Sequence, residues 1–457
     1  MPENSMGTQK VSRLVLTTGI PLMLSLLINS LYNFVDSVFV SRVAEDALTG
    51  VSLAAPVQIM VSALGLGNAV GLNAAISRAL GEGRRDKVRK TASAAIFLAL
   101  CAWVLISVAC LAGVRRYFDW QSGGNADIAA YGRDYLTICM LFSLGQMGQW
   151  VFDRFVIASG KSHLFLFTLS AASVTNLILD PVFIFGFGMG TRGAAIATVI
   201  GQHVGLLAGI FINIRWNKEI EFSFTLRPDW PSAATILRVG IPSTLVQVIT
   251  SFVTVAMNSI LLTFSSTAVA VYGVCSRMMG LCTVGVHGID NGLIPIVAYN
   301  YGADRPDRVR QAVRWAMIYS RLFYLPFLLV LEAAPGVVLE LFNASAQMKN
   351  IGLPAVRIMA AAWLISIPNL VMASALQGLS LPWPSMSLTM LRQAALPVLL
   401  ALILSRFGNL NLIWAAFVLA EILGIPAALA LWRRGSRSVL MDEIQKGKSS
   451  SGKKDPV

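Results

Sequence analysis

The sequence predicts an all-α membrane protein whose twelve transmembrane helices form two pseudo-symmetric six-helix lobes. Three observations carry that prediction. Charged residues make up only 13% of the 457-residue chain, whereas 56% are hydrophobic. A soluble domain carries about a quarter charged residues, so this chain cannot clothe itself in a polar surface and its solvent is lipid. Twelve windows are long and apolar enough to cross a hydrocarbon core, which takes about 20 residues of helix. Short motifs of the first half also recur in the second at a constant offset of 221. A soluble enzyme or a disordered scaffold fits this composition poorly. So does a nucleic-acid binder, because the net charge of +13 sits in short clusters between apolar stretches and joins no stacking or groove-reading element.

The spans follow in order. The polar start Met1–Lys10 leads into window 14–40, which is too long for a signal-peptide core and is expected to be retained. Window 48–77 ends at the basic run from Arg78 to Lys90, and windows 91–114, 131–158 and 163–187 follow. The stretch Gly186–Gly193 reads as a turn, which separates 163–187 from the sixth window, 193–214. Residues 215–234, with Trp216, Trp230 and Pro231, read as a cytoplasmic linker at the headgroup interface. The second set is 235–264, 268–298, 308–331, 351–376, 384–405 and 411–432, followed by a basic tail over 434–457. The domains are then a lobe over 1–214, the linker, a lobe over 235–433 and the tail. With both termini in the cytosol, about 25 of the 36 basic residues fall on the inner side, as the positive-inside rule requires. The expected location is the cell's inner (plasma) membrane.

The repeat supports the count. Gly19-Ile20-Pro21 recurs as Gly240-Ile241-Pro242, Gly67 as Gly288, Gly71-Leu72 as Gly292-Leu293, and Gly81 as Gly302. Arg84, Asp86 and Val88-Arg89 recur as Arg305, Asp307 and Val309-Arg310. Further on, Gly160 and Ser162 align with Gly378 and Ser380 at an offset of 218. Six spans per copy return the chain to its starting side, so the copies insert the same way up, as parallel repeats of some secondary transporters do. One pathway enclosed by one pair of lobes makes a monomer the expected unit.

Ionisable groups inside a bilayer are expensive and are functional candidates. Span 1 carries Asn29, Tyr32, Asn33 and Asp36 within two turns, a stripe unsuited to lipid, and Pro21 frees a backbone carbonyl four turns earlier, a natural bend. Span 5 ends in Asn176-Leu177-Ile178-Leu179-Asp180-Pro181, with Asn176 and Asp180 on one face. Thr198 and Gln202 in span 6 add oxygens. Asp36, Asn176, Asp180 and Thr198 together would suit a proton or a small hard cation such as Na⁺. Asp36 maps onto Met257 in the second copy, so this polar cluster is an addition to one lobe only.

Other charges are less specific. His287 and Asp290 in span 8 could line a substrate cleft with Asn33 and Gln202, and Arg321 and Arg392 could pair with Glu421 or Asp290. Asp153-Arg154 reads as a local interfacial pair, and His163 as a loop residue. The five cysteines, all within apolar stretches and without a CxxC pair, read as small core residues. No HExxH or GxSxG is present, so no enzyme and no cofactor is expected.

Taken together, these motifs resemble the multidrug and toxic compound extrusion family. The resemblance rests on Gly19-Ile20-Pro21, Asn33-Phe34-Val35-Asp36-Ser37, Gly81 with Asp86-Lys87-Val88, Asn176 to Pro181, and Gly292-x-x-Pro295-x-x-x-Tyr299-Asn300-Tyr301-Gly302-Ala303. It implies a V-shaped pair of six-helix lobes exporting drug-like, often cationic organic compounds in exchange for H⁺ or Na⁺ by alternating access. It also implies a coupling site at Asp36, Asn176, Asp180 and Thr198, with Tyr32 beside it and Pro21 as the bend. Spans 7 and 10 lack the interior carboxylates of one subgroup, which places the chain nearer the DinF-like and Gram-positive exporters. The alternative cargo in the wider superfamily, a lipid-linked oligosaccharide or other lipid, calls for a cationic cavity, whereas the first lobe's candidates are acidic.

Overall fold

The structure, a computed structural model, describes residues 5–451 apart from 42, 44, 123–124, 223–227 and 341–345. Within its helices the side chains at 31–38, 40–41, 45–46, 48–49, 52, 251, 266 and 436–451 lie outside the described residues. Every regular element among the described residues is helical.

Span 1 is Val11–Ser41, span 2 Glu45–Gly81, span 3 Arg85–Gln121, span 5 Ser162–Pro181 and span 6 Thr191–Trp216. In the second half span 7 is Trp230–Leu262, span 9 Pro306–Ala333, span 10 Ala346–Gly378 and span 12 Leu410–Ser451. Span 11 is Pro382–Met390 and Leu396–Ser405, joined by a π-helical turn at Leu391–Ala395. These supply ten helices long and apolar enough to cross a membrane.

The other two spans are broken, where the sequence reads as continuous windows. Span 8 consists of Ser266–Cys282 and Val284–Gly302, with a 54° bend at Thr283. Thr283 Oγ1 donates back to the Met279 carbonyl at 2.7 Å, a hydroxyl competing for a helical acceptor at the bend. Span 4 consists of Ala126–Leu141 and Leu144–Ala158, of 16 and 15 residues, each too short to cross alone. At their junction the Ser143 N–H turns to the Met140 carbonyl, three residues back, which tightens the chain before Leu144.

The chain divides into two compact units, Met1–Val248 and Ile249–Val457, so the first half of span 7 belongs to the first unit. There Gly67 of span 2 lies against Gly240 of span 7. A Cβ at Gly67 would sit 2.7 Å from the Gly240 carbonyl oxygen, so only a missing side chain permits this approach. Thr244 Oγ1 seals the contact by donating to the Ala63 carbonyl at 3.0 Å. In the first unit span 4 packs against spans 2, 3 and 6, and span 5 against spans 1 and 6. In the second, span 10 packs against spans 8, 9 and 12. Outward faces remain apolar, as Leu111, Leu207, Leu329 and Leu423 illustrate.

The repeat is visible in the turns. After span 2, Gly83 adopts φ 70° and the Arg84 N–H reaches the Ala79 carbonyl; after span 8, Asp304 adopts φ 55° and Arg305 reaches Asn300. From 83 to 304 the offset is 221. After span 4, Gly160 has φ 82° and Lys161 bonds Val156; after span 10, Ser380 has φ 62° and Leu381 bonds Leu376. Gly160 therefore corresponds to Ser380, an offset of 220, which corrects the alignment of Gly160 with Gly378. Both are helix ends closed by a left-handed residue, which glycine takes freely and Asp304 and Ser380 take at some strain.

Candidate functional site

Two helices bring the described part of the site together. Span 5 runs to Pro181, whose missing N–H ends the α-helical ladder, and the chain continues as a π-helical turn over Val182–Gly186. Gly188 and Gly190, with φ of 65° and 57°, then reverse it into span 6, as the glycine-rich stretch predicts. Asp180 and Asn176 face this neighbour because they lie one turn apart on span 5. Gly201 of span 6 allows the close approach: a Cβ there would lie 2.7 Å from the Ala172 carbonyl oxygen and 3.2 Å from the Asn176 Cβ.

Asn176 is the bridge. Its Nδ2 donates to Asp180 Oδ1 at 3.2 Å and to Thr198 Oγ1 at 3.3 Å. Asp180 is fully buried and Asn176 is 3% exposed. Asn176 Oδ1 is buried without a hydrogen-bond partner among the described residues. Span 1 packs along span 5, but the side chains of Tyr32, Asn33 and Asp36 lie outside the described residues. Pro21 lies within span 1, which is helical from Val11 to Ser41.

Two cavities adjoin the bridge. One of about 80 Å³ is lined by Asn176, Thr198, Gln202, Asn29, Gln149 and Ser173 among others, and one of about 240 Å³ shares Asn29, Gln146, Trp150, Thr198 and Gln202 and adds Gln58 and Tyr135. The walls are mostly carboxamides and hydroxyls, which can donate or accept and so tolerate a water, a proton carrier or a cation. Gln202 lines both cavities. Gln58, Gln146 and Gln149 were missed. Their signal is an uncharged amide inside an apolar window, as at Asn29 and Gln202.

Asp153 differs from the sequence reading. It is 2% exposed and accepts from Thr168 Oγ1 of span 5 at 2.5 Å, and no ion pair to Arg154 forms among the described residues. Its Oδ2 is buried without a hydrogen-bond partner among the described residues. Consecutive helical positions diverge by about 100° around the axis, and Asp153 turns to Thr168 of span 5. His163 likewise belongs to the first turn of span 5, not to a loop.

In the second unit, Arg392 Nη1 donates to Glu421 Oε1 at 2.6 Å, and Asn369 Nδ2 donates to Glu421 Oε2 at 2.8 Å. This realises the pairing of Arg392 with Glu421; Arg321 is exposed and takes no part. His287 lines a cavity of about 320 Å³ with this ion pair, whereas Asp290 is half-buried and does not line it.

The comparisons with known proteins agree with this architecture. The MatE family model matches residues 21–182 and again 242–403, two copies separated by the offset of 221 seen in the sequence. The chain is 26% identical over 418 residues to a probable multidrug resistance protein NorM of Thermotoga maritima, covering 89% of this chain and 88% of that one. It is 25% identical over 335 residues to the multidrug export protein MepA of Staphylococcus haemolyticus, covering 72% and 73%. A solved outward-facing multidrug resistance MATE transporter superposes with a TM-score of 0.90 at 22% identity, over 96% of this chain and 99% of that one. With two matched copies spanning more than two thirds of its length, and a twelve-span fold shared with solved transporters, the chain belongs to the MatE family of multidrug and toxic compound extrusion transporters and is not an enzyme.

Proposed function

We propose that this transporter is a secondary antiporter that exports drug-like, often cationic organic compounds in exchange for H⁺ or Na⁺ by alternating access. The observation that supports this most is the buried Asn176 bridge between Asp180 and Thr198, on the wall of a polar cavity within the first six-helix unit. A carboxylate there is costly to leave charged, and neutralising it with a proton or Na⁺ removes that cost. In the proposed cycle Asp36, with Tyr32 beside it, joins Asp180, Asn176 and Thr198 in holding the cation. Loading it bends span 1 at Pro21 and narrows the space a substrate occupies, to which Asn33 and Gln202 contribute. Substrate and cation then oppose one another through one coupling free energy, and each weakens the other equally.

The proposal takes residues 1–214 and 235–433 as the two lobes, 215–234 as a cytoplasmic linker and 434–457 as a basic cytoplasmic tail. It sets both termini on the cytosolic side of the plasma membrane and one chain as the working unit. Asp36→Asn should abolish cation-driven efflux of a cationic dye from cells while leaving the protein in the membrane at normal levels. Undiminished efflux in that variant would end the proposal.

A further inference from the structure

The second unit holds a cavity that the coupling scheme does not use. Of its charged walls, Glu421 is satisfied on both oxygens, by Arg392 and by Asn369. Arg392 is not satisfied. It carries five N–H donors, it is 2% exposed, and among the described residues its single hydrogen bond is the one from Nη1 to Glu421. Its Nε is buried without a partner among the described residues. Among the described residues the His287 ring, which lines the same cavity, makes no side-chain hydrogen bond, and it meets Trp363 edge-on at 6.1 Å. Tyr272 and Phe417, also in its lining, stack at 5.9 Å. The cavity thus offers a surplus of donors and several aromatic rings in one lining. Its volume of about 320 Å³ lies at the lower end of pockets that hold small organic molecules.

We infer that this cavity is a binding pocket for a planar aromatic carboxylate, its acid group on Arg392 and its rings against Trp363, Tyr272 and Phe417. A guanidinium can serve two carboxylates from different edges, so the ligand shares Arg392 with Glu421 and need not displace it. Hydrogen-bond matching gives selectivity: an analogue lacking the acceptor leaves the surplus donors unpaired. The inference rests on the transporter reading only for its setting. Its test reads binding rather than transport, so it can fail while antiport stands, and the reverse.

The probe is fluorescent anthracene-9-carboxylate, titrated by anisotropy into the full chain in lipid nanodiscs, with 9-anthracenemethanol as the comparison. The wild type should bind the carboxylate at least tenfold more tightly than the alcohol. In Arg392→Gln/Glu421→Gln, which keeps a hydrogen-bonding pair and removes both charges, that preference should vanish. Gly280 also lines the pocket, and a Cβ there meets nothing within 4 Å. Gly280→Phe should therefore fill the space and weaken both probes tenfold or more with the ion pair intact, which keeps the test decisive should the double variant not fold. Equal affinity for the two probes in the wild type, a preference that survives the double variant, or full binding by Gly280→Phe would each overturn the inference.

Discussion

Replacing Gly201 with alanine adds one carbon at a close approach between spans 5 and 6. That carbon would sit 2.7 Å from the Ala172 carbonyl oxygen, a backbone atom that cannot rotate away, and 3.2 Å from the Asn176 Cβ. Overpacking of this kind costs about 1–3 kcal/mol. The helix gains about 1 kcal/mol from replacing glycine with alanine, which offsets part of it. If the helices part to relieve the clash, the 3.3 Å bond from Asn176 to Thr198 is lost, another ~1 kcal/mol. The expected net is a destabilisation of about 1–3 kcal/mol together with weakened cation coupling. Gly113→Ala in span 3 is the control, since a Cβ there meets nothing within 4 Å. It should be neutral or stabilising by up to ~1 kcal/mol. Thermal unfolding of the two variants in one detergent, read by tryptophan fluorescence, distinguishes them. If Gly201→Ala melts with the wild type and transports normally, the close approach does not hold the site together.

Further outcomes follow from other contacts. A double-mutant cycle on Asp153→Asn and Thr168→Val should return a coupling of about 1–3 kcal/mol in melting experiments, and additive effects would mean the 2.5 Å bond does not form. Outside the spans, burial of Glu82 opposes its charge, but hydrogen bonds and charges from Lys87 and Arg78 outweigh this and hold its carboxyl below 4.5. Its contribution is therefore present above pH 4.5 and lost as pH falls through the lower folded value. Glu82→Gln should cost about 1 kcal/mol or less at pH 7, and the difference should close under acid conditions, so a difference constant with pH would contradict the pairing. Gly67→Val should be poorly tolerated, since its side chain meets the Gly240 carbonyl, and a normal melting temperature would show spans 2 and 7 free to separate.

How much of this was legible in sequence depended on the kind of signal. Long apolar windows, basic clusters and repeated glycines are one-dimensional features, so the spans and the offset could be read directly. The match of Asn176 to Asp180 was readable because both lie on one helix, four residues apart. Thr198 and Gln202 joined them only through the turn at Gly188 and Gly190, which the glycine-rich stretch announced. The breaks in spans 4 and 8 were not legible. Neither Phe142-Ser143 nor Thr283 is a proline or paired glycine, and their effect arises from which carbonyl a local N–H or hydroxyl finds. The burial of Asp153 against Thr168, across successive spans 4 and 5, and the choice of Glu421 over Asp290 as the partner of Arg392 depend on how neighbouring helices rotate against one another, where depth alone selects no partner.

The most direct measurement is substrate efflux from proteoliposomes driven separately by a pH gradient and by a Na⁺ gradient, for the wild type and Asp180→Asn. One of the two gradients should drive the wild type, and neither should drive the variant, although it still binds substrate. Efflux by Asp180→Asn at the wild-type rate under the effective gradient would contradict a coupling role for the carboxylate that Asn176 holds.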